Sequence, residues 1–228
     1  MAAMAFSLQG RKDETHFFTK MVTASYESRE WGHTGNGFSY LWGPLAANAG
    51  GPKAMAAFMK ELRWYYDLAR AHDGSFPYQG GAGMSGGEHK YGKWDCTGAF
   101  VLANTFHKQE LFITGRGVHK KNRLVGDDLA DTIEAGRGFD SWSKGADHFA
   151  NKRQAELMRD LKSWSPAVRS RAAKALASSG DTPTAALRTM LKSRQLDVRY
   201  GACQAISELG GKAAAALPEL RRCLQSDD

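Results

Sequence analysis

Residues 161–169 read LKSWSPAVR and residues 191–199 read LKSRQLDVR, so the chain repeats itself near its C-terminal end. Between residues 161–180 and 191–210, eight of twenty positions are identical at an offset of 30. Leucines four residues apart recur at the same offset and then 33 residues further on: Leu157 and Leu161, Leu187 and Leu191, Leu220 and Leu224. Self-similarity of this length predicts a stack of equivalent units.

The apolar pattern predicts two helices in each unit. The leucine pairs belong to the first helix. In the second helix the apolar residues recur at the spacing of one face: Val168, Ala172, Ala175 and Leu176, then Val198, Ala202, Ala205, Ile206 and Leu209. Pro166 and Asp197 suit helix starts, and Gly180 and Gly210 suit left-handed helix ends. One helix pair cannot bury its own apolar face, so we predict that the pairs stack into a solenoid.

These features resemble HEAT-like repeats over residues 154–228: two helices, a turn with Pro or Asp shortly before Val-Arg, and an alanine-rich second helix. The resemblance implies a surface that binds or scaffolds a protein or peptide partner. It implies no catalytic residue and no cofactor.

The repeats also carry a basic excess, with 14 Lys and Arg against 8 Asp and Glu in residues 151–228. Phosphate contacts are one interpretation of this excess. The other is that the arginines form solvated faces or an inter-repeat ladder of Arg and Asp: Arg169, Arg171, Arg188, Arg199, Arg221 and Arg222. Because no aromatic residues are interleaved for base stacking, we do not expect nucleic-acid binding.

The remainder of the 228-residue chain has a different composition, which predicts a second domain. Only two of the 24 aromatic residues lie beyond residue 150. Helical periodicity is found at residues 1–27, 37–49, 52–68 and 96–106, and no stretch shows sustained strand alternation. The predicted fold class is therefore all-α. The predicted domains are residues 1–114, a linker at 115–153 with one short helix near 127–133, and the repeats at 154–228.

Three loop segments of the N-terminal part are rich in glycine and aromatic residues: HTGNGFSYLW at 33–42, DGSF at 73–76 and WDCTG at 94–98. DGSF after a helix resembles the corner motif of α/α-toroid proteins. With the trailing repeats, the segments resemble an uncharacterised bacterial family, of planctomycete type, of toroid-type domains. That resemblance implies a partial α/α toroid of helical hairpins before the HEAT-like solenoid. Since a complete toroid needs more hairpins, we expect the chain to be the C-terminal part of a larger protein.

The toroid resemblance also nominates site residues, because its loops line a central cavity. The acid–base candidates are His33, Asp73 and Asp95, and the substrate-binding candidates are Asn36, Tyr40, Trp42 and Trp94. The alternative is structural: Asn36 and Asp73 cap helices or fix turns, and Asp95 caps the helix that follows it.

Other chemistry has little support in the sequence. Residues 81–86 spell GxGxxG, but no strand precedes them, so we expect no dinucleotide site. Asp95 and Cys96 could be joined by His33, His72 or His89 in a zinc site, but adjacent residues at a helix start diverge, so we expect no metal. No apolar run is long enough for a membrane helix, no signal peptide is evident, and the compartment is undetermined.

Two functions therefore stay open. The first is a non-enzymatic helical-repeat module that binds a protein or peptide. The alternative is the cavity-forming part of a toroid enzyme that acts on a carbohydrate or an isoprenoid-like substrate.

Overall fold

The computed structural model describes residues 2–27, 37–78, 94–139, 145–180 and 182–225. The chain divides into two compact units, Met1–Ser141 and Trp142–Asp228. The first contains α1 (Ala2–Leu8), α2 (Lys12–Thr23), α3 (Gly37–Ala47), α4 (Pro52–Ala69), α5 (Thr97–Thr105) and α6 (Gly126–Glu134). The second contains α7 (Gly145–Ala150), α8 (Gln154–Asp160), α9 (Pro166–Ser178), α10 (Thr184–Leu191), α11 (Leu196–Leu209) and α12 (Leu217–Gln225). Short 3-10 segments span Asn48–Gly50, Phe106–Lys108, Lys120–Asn122 and Gly210–Ala216.

The all-α fold class is confirmed. The described ranges contain no strand, and their β-type pairing is one isolated bridge between Pro77 and Asp95. The division between the two units falls inside the predicted linker, while the predicted domain boundaries stay predictions.

Helix α4 is the centre of the first unit's core. It begins at Pro52, where the missing N–H needs no partner. Its buried side chains follow the spacing of one helix face: Ala54, Met55, Phe58, Leu62, Tyr65, Tyr66 and Ala69. This face carries three aromatic rings, and each ring buries a large apolar area. The core of the first unit is therefore built around large side chains.

Rings from α3 and α5 pack against the rings of α4. Tyr40 of α3 is fully buried, and its ring stacks on that of Tyr65 with 3.4 Å between the centroids. Phe100 of α5 meets Tyr66 edge to face at 5.2 Å. The Tyr66 hydroxyl donates to the main-chain oxygen of Tyr40 at 2.8 Å, so this buried polar group is satisfied within the cluster.

The helices differ from the prediction in three places. Residues 1–27 do not form one helix, because Gly10 adopts φ +73 between α1 and α2 and the chain turns there. The predicted linker contains α7 in addition to the short helix, which the structure places at α6. The predicted helix at residues 96–106 is α5 followed by a 3-10 turn.

The second unit consists of helix pairs with small side chains at their contacts. The pairs are α8 with α9 and α10 with α11, and the 3-10 segment Gly210–Ala216 precedes α12. This extra segment accounts for the longer offset to the third leucine pair. Of the nine predicted stripe residues, eight are buried and Ala175 is half-buried.

The ends of these helices follow the predicted chemistry in part. Pro166 begins α9, and the Ser165 hydroxyl before it accepts from the Val168 amide at 3.4 Å. Gly180 has φ +83 after α9, as expected of a left-handed helix end. Asp197, however, is not the cap of α11, since Gln195 holds that position and the Asp197 carboxylate pairs with an arginine instead.

Backbone from a neighbouring helix approaches closely at Gly201 of α11. A Cβ on this residue would overlap the main-chain oxygen of Leu161, at the end of α8. Glycine is therefore required by the space that the neighbouring backbone leaves rather than by its φ angle.

Candidate functional site

Asp73 lies in a tight turn after α4. Its Oδ1 accepts from the Ser75 amide at 2.9 Å and from the Ser75 hydroxyl at 2.7 Å. The hydrogen bonds from Ser75 lower the pKa of Asp73, because they stabilise the charged carboxylate. The contacts of Asp73 are those of a residue that fixes a turn.

The segment after Asp73 pairs with the segment around Asp95. The amide of Tyr78 donates to the Trp94 oxygen at 2.9 Å, and the amide of Cys96 donates to the Phe76 oxygen at 2.8 Å. Two of the three loop segments nominated from the sequence therefore meet, although they are about twenty residues apart.

Asp95 satisfies the first turn of α5. Its Oδ1 accepts from the Thr97 amide at 2.8 Å, while the Thr97 hydroxyl accepts from the Phe76 amide at 2.8 Å. The N-cap residue of this helix is Cys96 rather than the predicted Asp95. Asp95 lies one residue before the N-cap.

The charge state of these carboxylates matters for the enzyme hypothesis. Hydrogen bonds from Thr97 lower the pKa of Asp95, and the nearby charge of Asp73 opposes this only in part. Both carboxyl groups therefore favour the ionised form, whereas a general acid needs a raised pKa. Burial raises the pKa of the neighbouring Cys96 thiol, which disfavours a thiolate.

Three of the other nominated residues lie in the described ranges, in different surroundings. Tyr40 lies in the aromatic core. Trp42 is partly exposed on α3, and Trp94 is partly exposed beside Tyr78, with 6.0 Å between the ring centroids. Several nominated positions lie outside the described residues: His33, Asn36, residues 81–86 and His89.

Within the described ranges, no group of three or more His, Cys, Asp or Glu side chains is placed to hold a metal ion.

The second unit contains a buried arginine between two repeats. Arg169 donates from Nη1 to the Asp197 Oδ1 at 2.8 Å. The same nitrogen donates to the main-chain oxygens of Ser163 and Trp164, at 2.6 and 3.0 Å. Of the two interpretations of the arginines, the inter-repeat ladder describes Arg169. One side chain thus joins the turn of its own helix pair to the next pair.

A second charge cluster surrounds Glu219 on α12. Its side chain is only 3% exposed, and its Oε1 accepts from Arg188 at 2.9 Å. Arg222 and Lys192 approach the same oxygen at 3.4 and 3.8 Å. The hydrogen bond from Arg188 lowers the pKa of Glu219, so the buried carboxylate is ionised. Sequence reasoning missed Glu219, although a search for acids one repeat beyond each arginine would have found it.

Helix α11 presents a pair of exposed apolar side chains. Leu196 is 48% exposed and Tyr200, one turn later, is 51% exposed. The Cζ of Arg169 lies 6.0 Å from the Tyr200 ring centroid. The ring thus has an ordered cation on one side while half its surface meets solvent.

Next to this helix lies a cleft rich in cations. Its lining includes the side chains or main chain of Lys192, Ser193, Arg194, Arg199, Glu219 and Arg222. Arg199 donates from Nη1 to the main-chain oxygens of Ser193 and Arg194, at 3.0 and 3.4 Å. The cleft is therefore formed by the turn of one repeat and the first helix of the next.

Comparison with known proteins assigns both parts of the sequence. Residues 1–115 match the family model described as a domain of unknown function, DUF6288. The chain belongs to the DUF6288 family. Residues 155–228 match the model for HEAT repeats, which confirms the repeats predicted from the sequence. No curated protein and no solved structure matches the chain.

The candidate sites fall in different family matches. Asp73 and Asp95 belong to the DUF6288 part, whereas Arg199 and Glu219 belong to the HEAT repeats. The DUF6288 match names no architecture and no organism, so the toroid remains a prediction. Each helix in the described ranges is too short or too polar to span a bilayer.

Proposed function

We propose that the HEAT repeats of this DUF6288 protein form a scaffold that binds a protein partner. Stacked helix pairs offer an extended surface whose shape does not depend on the partner, which suits such repeats to protein recognition. The supporting observation is the exposed pair Leu196 and Tyr200 on α11. Tyrosine is a typical anchor of protein interfaces, and Leu196 extends the apolar surface beside it.

The setting of Tyr200 supports this role. Arg169 lies beside its ring and is itself held by three hydrogen bonds. A side chain that is fixed before association loses less conformational entropy when a partner covers it. The pair is therefore better suited to an interface than two isolated apolar residues on a surface would be.

No contact of the described residues favours the enzyme alternative. Asp73 and Asp95 both serve as turn acceptors, and neither has the raised pKa of a general acid. The toroid-type hairpin arrangement of the first unit stays a structural proposal, supported by the aromatic helix contacts around α4.

Capture with the full-length chain tests the binding function. Partners retained by the wild-type chain are identified and then assayed as purified proteins. We expect the double variant Leu196→Glu and Tyr200→Glu to weaken binding about a hundredfold, as the loss of two interface anchors does. Leu68→Glu is the matched control, because Leu68 is 77% exposed on α4 of the first unit. Equal loss with both variants, or loss with neither, would contradict the proposal.

A further inference from the structure

The two internal repeats hold equivalent arginines that differ in one contact. Arg199 follows Arg169 at the repeat offset of 30. Each donates from Nη1 to two main-chain oxygens of the preceding turn, and those acceptors are also one repeat apart. Arg169 has a third acceptor, the carboxylate of Asp197. No carboxylate among the described residues pairs with Arg199.

The surroundings of Arg199 favour an incoming anion. Lys192, Arg194 and Arg222 also line the cleft, and all three are exposed. Among the described lining residues the carboxylate is that of Glu219, and its Oε1 is shared by Arg188, Arg222 and Lys192. The four lining cations and Arg188 outnumber this one carboxylate, so the cleft keeps a positive field. A concave cationic site of this kind raises the local concentration of acidic groups.

We propose that this cleft binds an acidic segment of a protein partner, with one carboxylate placed against Arg199 as Asp197 is placed against Arg169. The inference rests on the proposed function, since it gives the chemistry of that partner. The internal contact supplies the template: an arginine fixed by two main-chain oxygens and completed by a carboxylate at 2.8 Å.

An acidic protein segment suits the cleft better than a nucleic acid. The described residues that line the cleft include no aromatic side chain on which a base could stack. The template acceptor, moreover, is a single carboxylate rather than a run of phosphates at regular spacing. Because the contacts are solvent-accessible charges, the affinity falls as salt screens them.

The test uses the full chain and a fluorescein-labelled peptide of alternating Glu and Ala residues, with fluorescence anisotropy at low salt. The same peptide with Gln in place of Glu is the uncharged control, and an oligothymidine of equal length represents nucleic acid. We expect the Glu peptide to bind and the Gln peptide not to bind. The double variant Lys192→Glu and Arg194→Glu should weaken binding by about tenfold or more. Both side chains are exposed, and circular dichroism checks that the variant is folded, because Lys192 also lies 3.8 Å from the Glu219 carboxylate.

Two further variants define the place of binding. Arg199→Gln should weaken peptide binding by about fivefold or more, because it removes the guanidinium that completes the contact. Arg221→Gln is the matched control, since it removes the same charge from an exposed position of α12 that does not line the cleft. We expect it to change the affinity less than twofold, about the effect of one screened surface charge.

Four outcomes would overturn the inference. The first is that the Glu peptide does not bind, and the second is that Arg221→Gln weakens binding as much as Arg199→Gln. The third is that the oligothymidine binds more tightly than the Glu peptide and responds to the same variants. The fourth is that the double variant Asp227→Asn and Asp228→Asn binds the Glu peptide more tightly than wild type does. The last would show that the chain's own carboxylates occupy the cleft. A captured partner that is lost with the Leu196 and Tyr200 variant but retained with the Lys192 and Arg194 variant leaves the proposed function standing without this site. Loss of the partner with neither variant contradicts the proposed function itself.

Discussion

The two units of this chain fill their interiors by opposite means. In the first unit, rings from α3, α4 and α5 meet in one cluster, and side-chain volume brings the helices together. In the second unit, alanines and one glycine let helix backbones approach closely, and arginine–carboxylate contacts join the repeats. The first unit should therefore tolerate loss of volume poorly, whereas the second should tolerate added volume poorly.

The largest expected effect is loss of a ring from the first unit. Phe100 is fully buried and contacts Tyr65, Tyr66 and Phe76. Phe100→Ala removes these contacts and leaves a cavity, so we expect the unfolding free energy of the first unit to fall by about 4 kcal/mol. Hydrogen exchange of the α4 and α5 peptides measures the loss.

The adjacent residue supplies the control for this change. Val101 lies on the same helix but is 51% exposed, so Val101→Ala should have an effect of about 0.5 kcal/mol or less. If the two variants lost similar protection, the aromatic cluster would not be the stabilising core of the first unit.

Adding one methyl group tests the second unit. The Cβ in Gly201→Ala would overlap the Leu161 oxygen, and backbone yields less readily than a side chain. We expect a loss of about 3 kcal/mol, near the upper end for overpacking, because the overlap is with backbone. The higher helix propensity of alanine offsets only part of this strain. Hydrogen exchange of the α9 and α11 peptides measures this change, because it reports on the second unit separately from the first.

Gly211→Ala is the matched control for the overlap. Gly211 lies in the 3-10 segment after α11, and a Cβ there would meet no heavy atom within 4 Å. This variant should be neutral or slightly stabilising. Equal destabilisation by both alanines would attribute the Gly201 effect to local backbone conformation rather than to the neighbouring helix.

The same contrast explains how much of the fold could be predicted. In the repeats the neighbours of a residue lie at fixed offsets, so Val168 and Ala202 could be assigned to a buried stripe from spacing alone. In the first unit, the stack of Tyr40 on Tyr65 joins segments whose approach depends on the whole unit. Propensity along the chain carries no information on such contacts. It also favoured helix through Gly10, where a left-handed residue ends α1.

The candidate sites show the same limit. Asp73 and Asp95 stood out because the loops of a toroid line its central cavity, but the same residue types fix turns. Which role applies depends on Ser75 and Thr97, the hydrogen-bond donors beside them. Glu219 escaped notice because acids on a helix are usually solvated, and its burial arises only when α12 packs on α10.

The next prediction concerns the arginine that joins the repeats. Arg169→Gln removes an ion pair and leaves two main-chain oxygens with a poorer donor, so we expect a loss of about 2 kcal/mol. The loss should be smaller than for a fully buried pair, because Asp197 is half-exposed and water can solvate it. Urea unfolding measures it, and Arg221→Gln is the exposed control. If both variants were equally neutral, the ladder contact would contribute specificity without stability.

The smallest effect is the pH dependence that arises from Glu219. Because Arg188 lowers its pKa below the ordinary 4.5, the folded state favours the ionised carboxylate relative to the unfolded chain. The contribution is therefore fully present above about pH 4.5 and is lost as the pH falls through the folded-state pKa. Glu219→Gln should lower the thermal midpoint of the second unit at neutral pH, and the difference from wild type should shrink on acidification.

The cations around Glu219 keep this effect small. Arg188, Lys192 and Arg222 are largely exposed, so removal of their shared carboxylate returns them to water rather than stranding them in the core. Glu208→Gln, at an exposed position of α11, is the matched control and should shift the midpoint little at any pH. A difference between wild type and Glu219→Gln that persisted undiminished well below pH 4 would mean that the ionised carboxylate is not the source of the stabilisation. Charge would then not be what joins α12 to the repeat before it, and the contrast between the two units would fail at this helix.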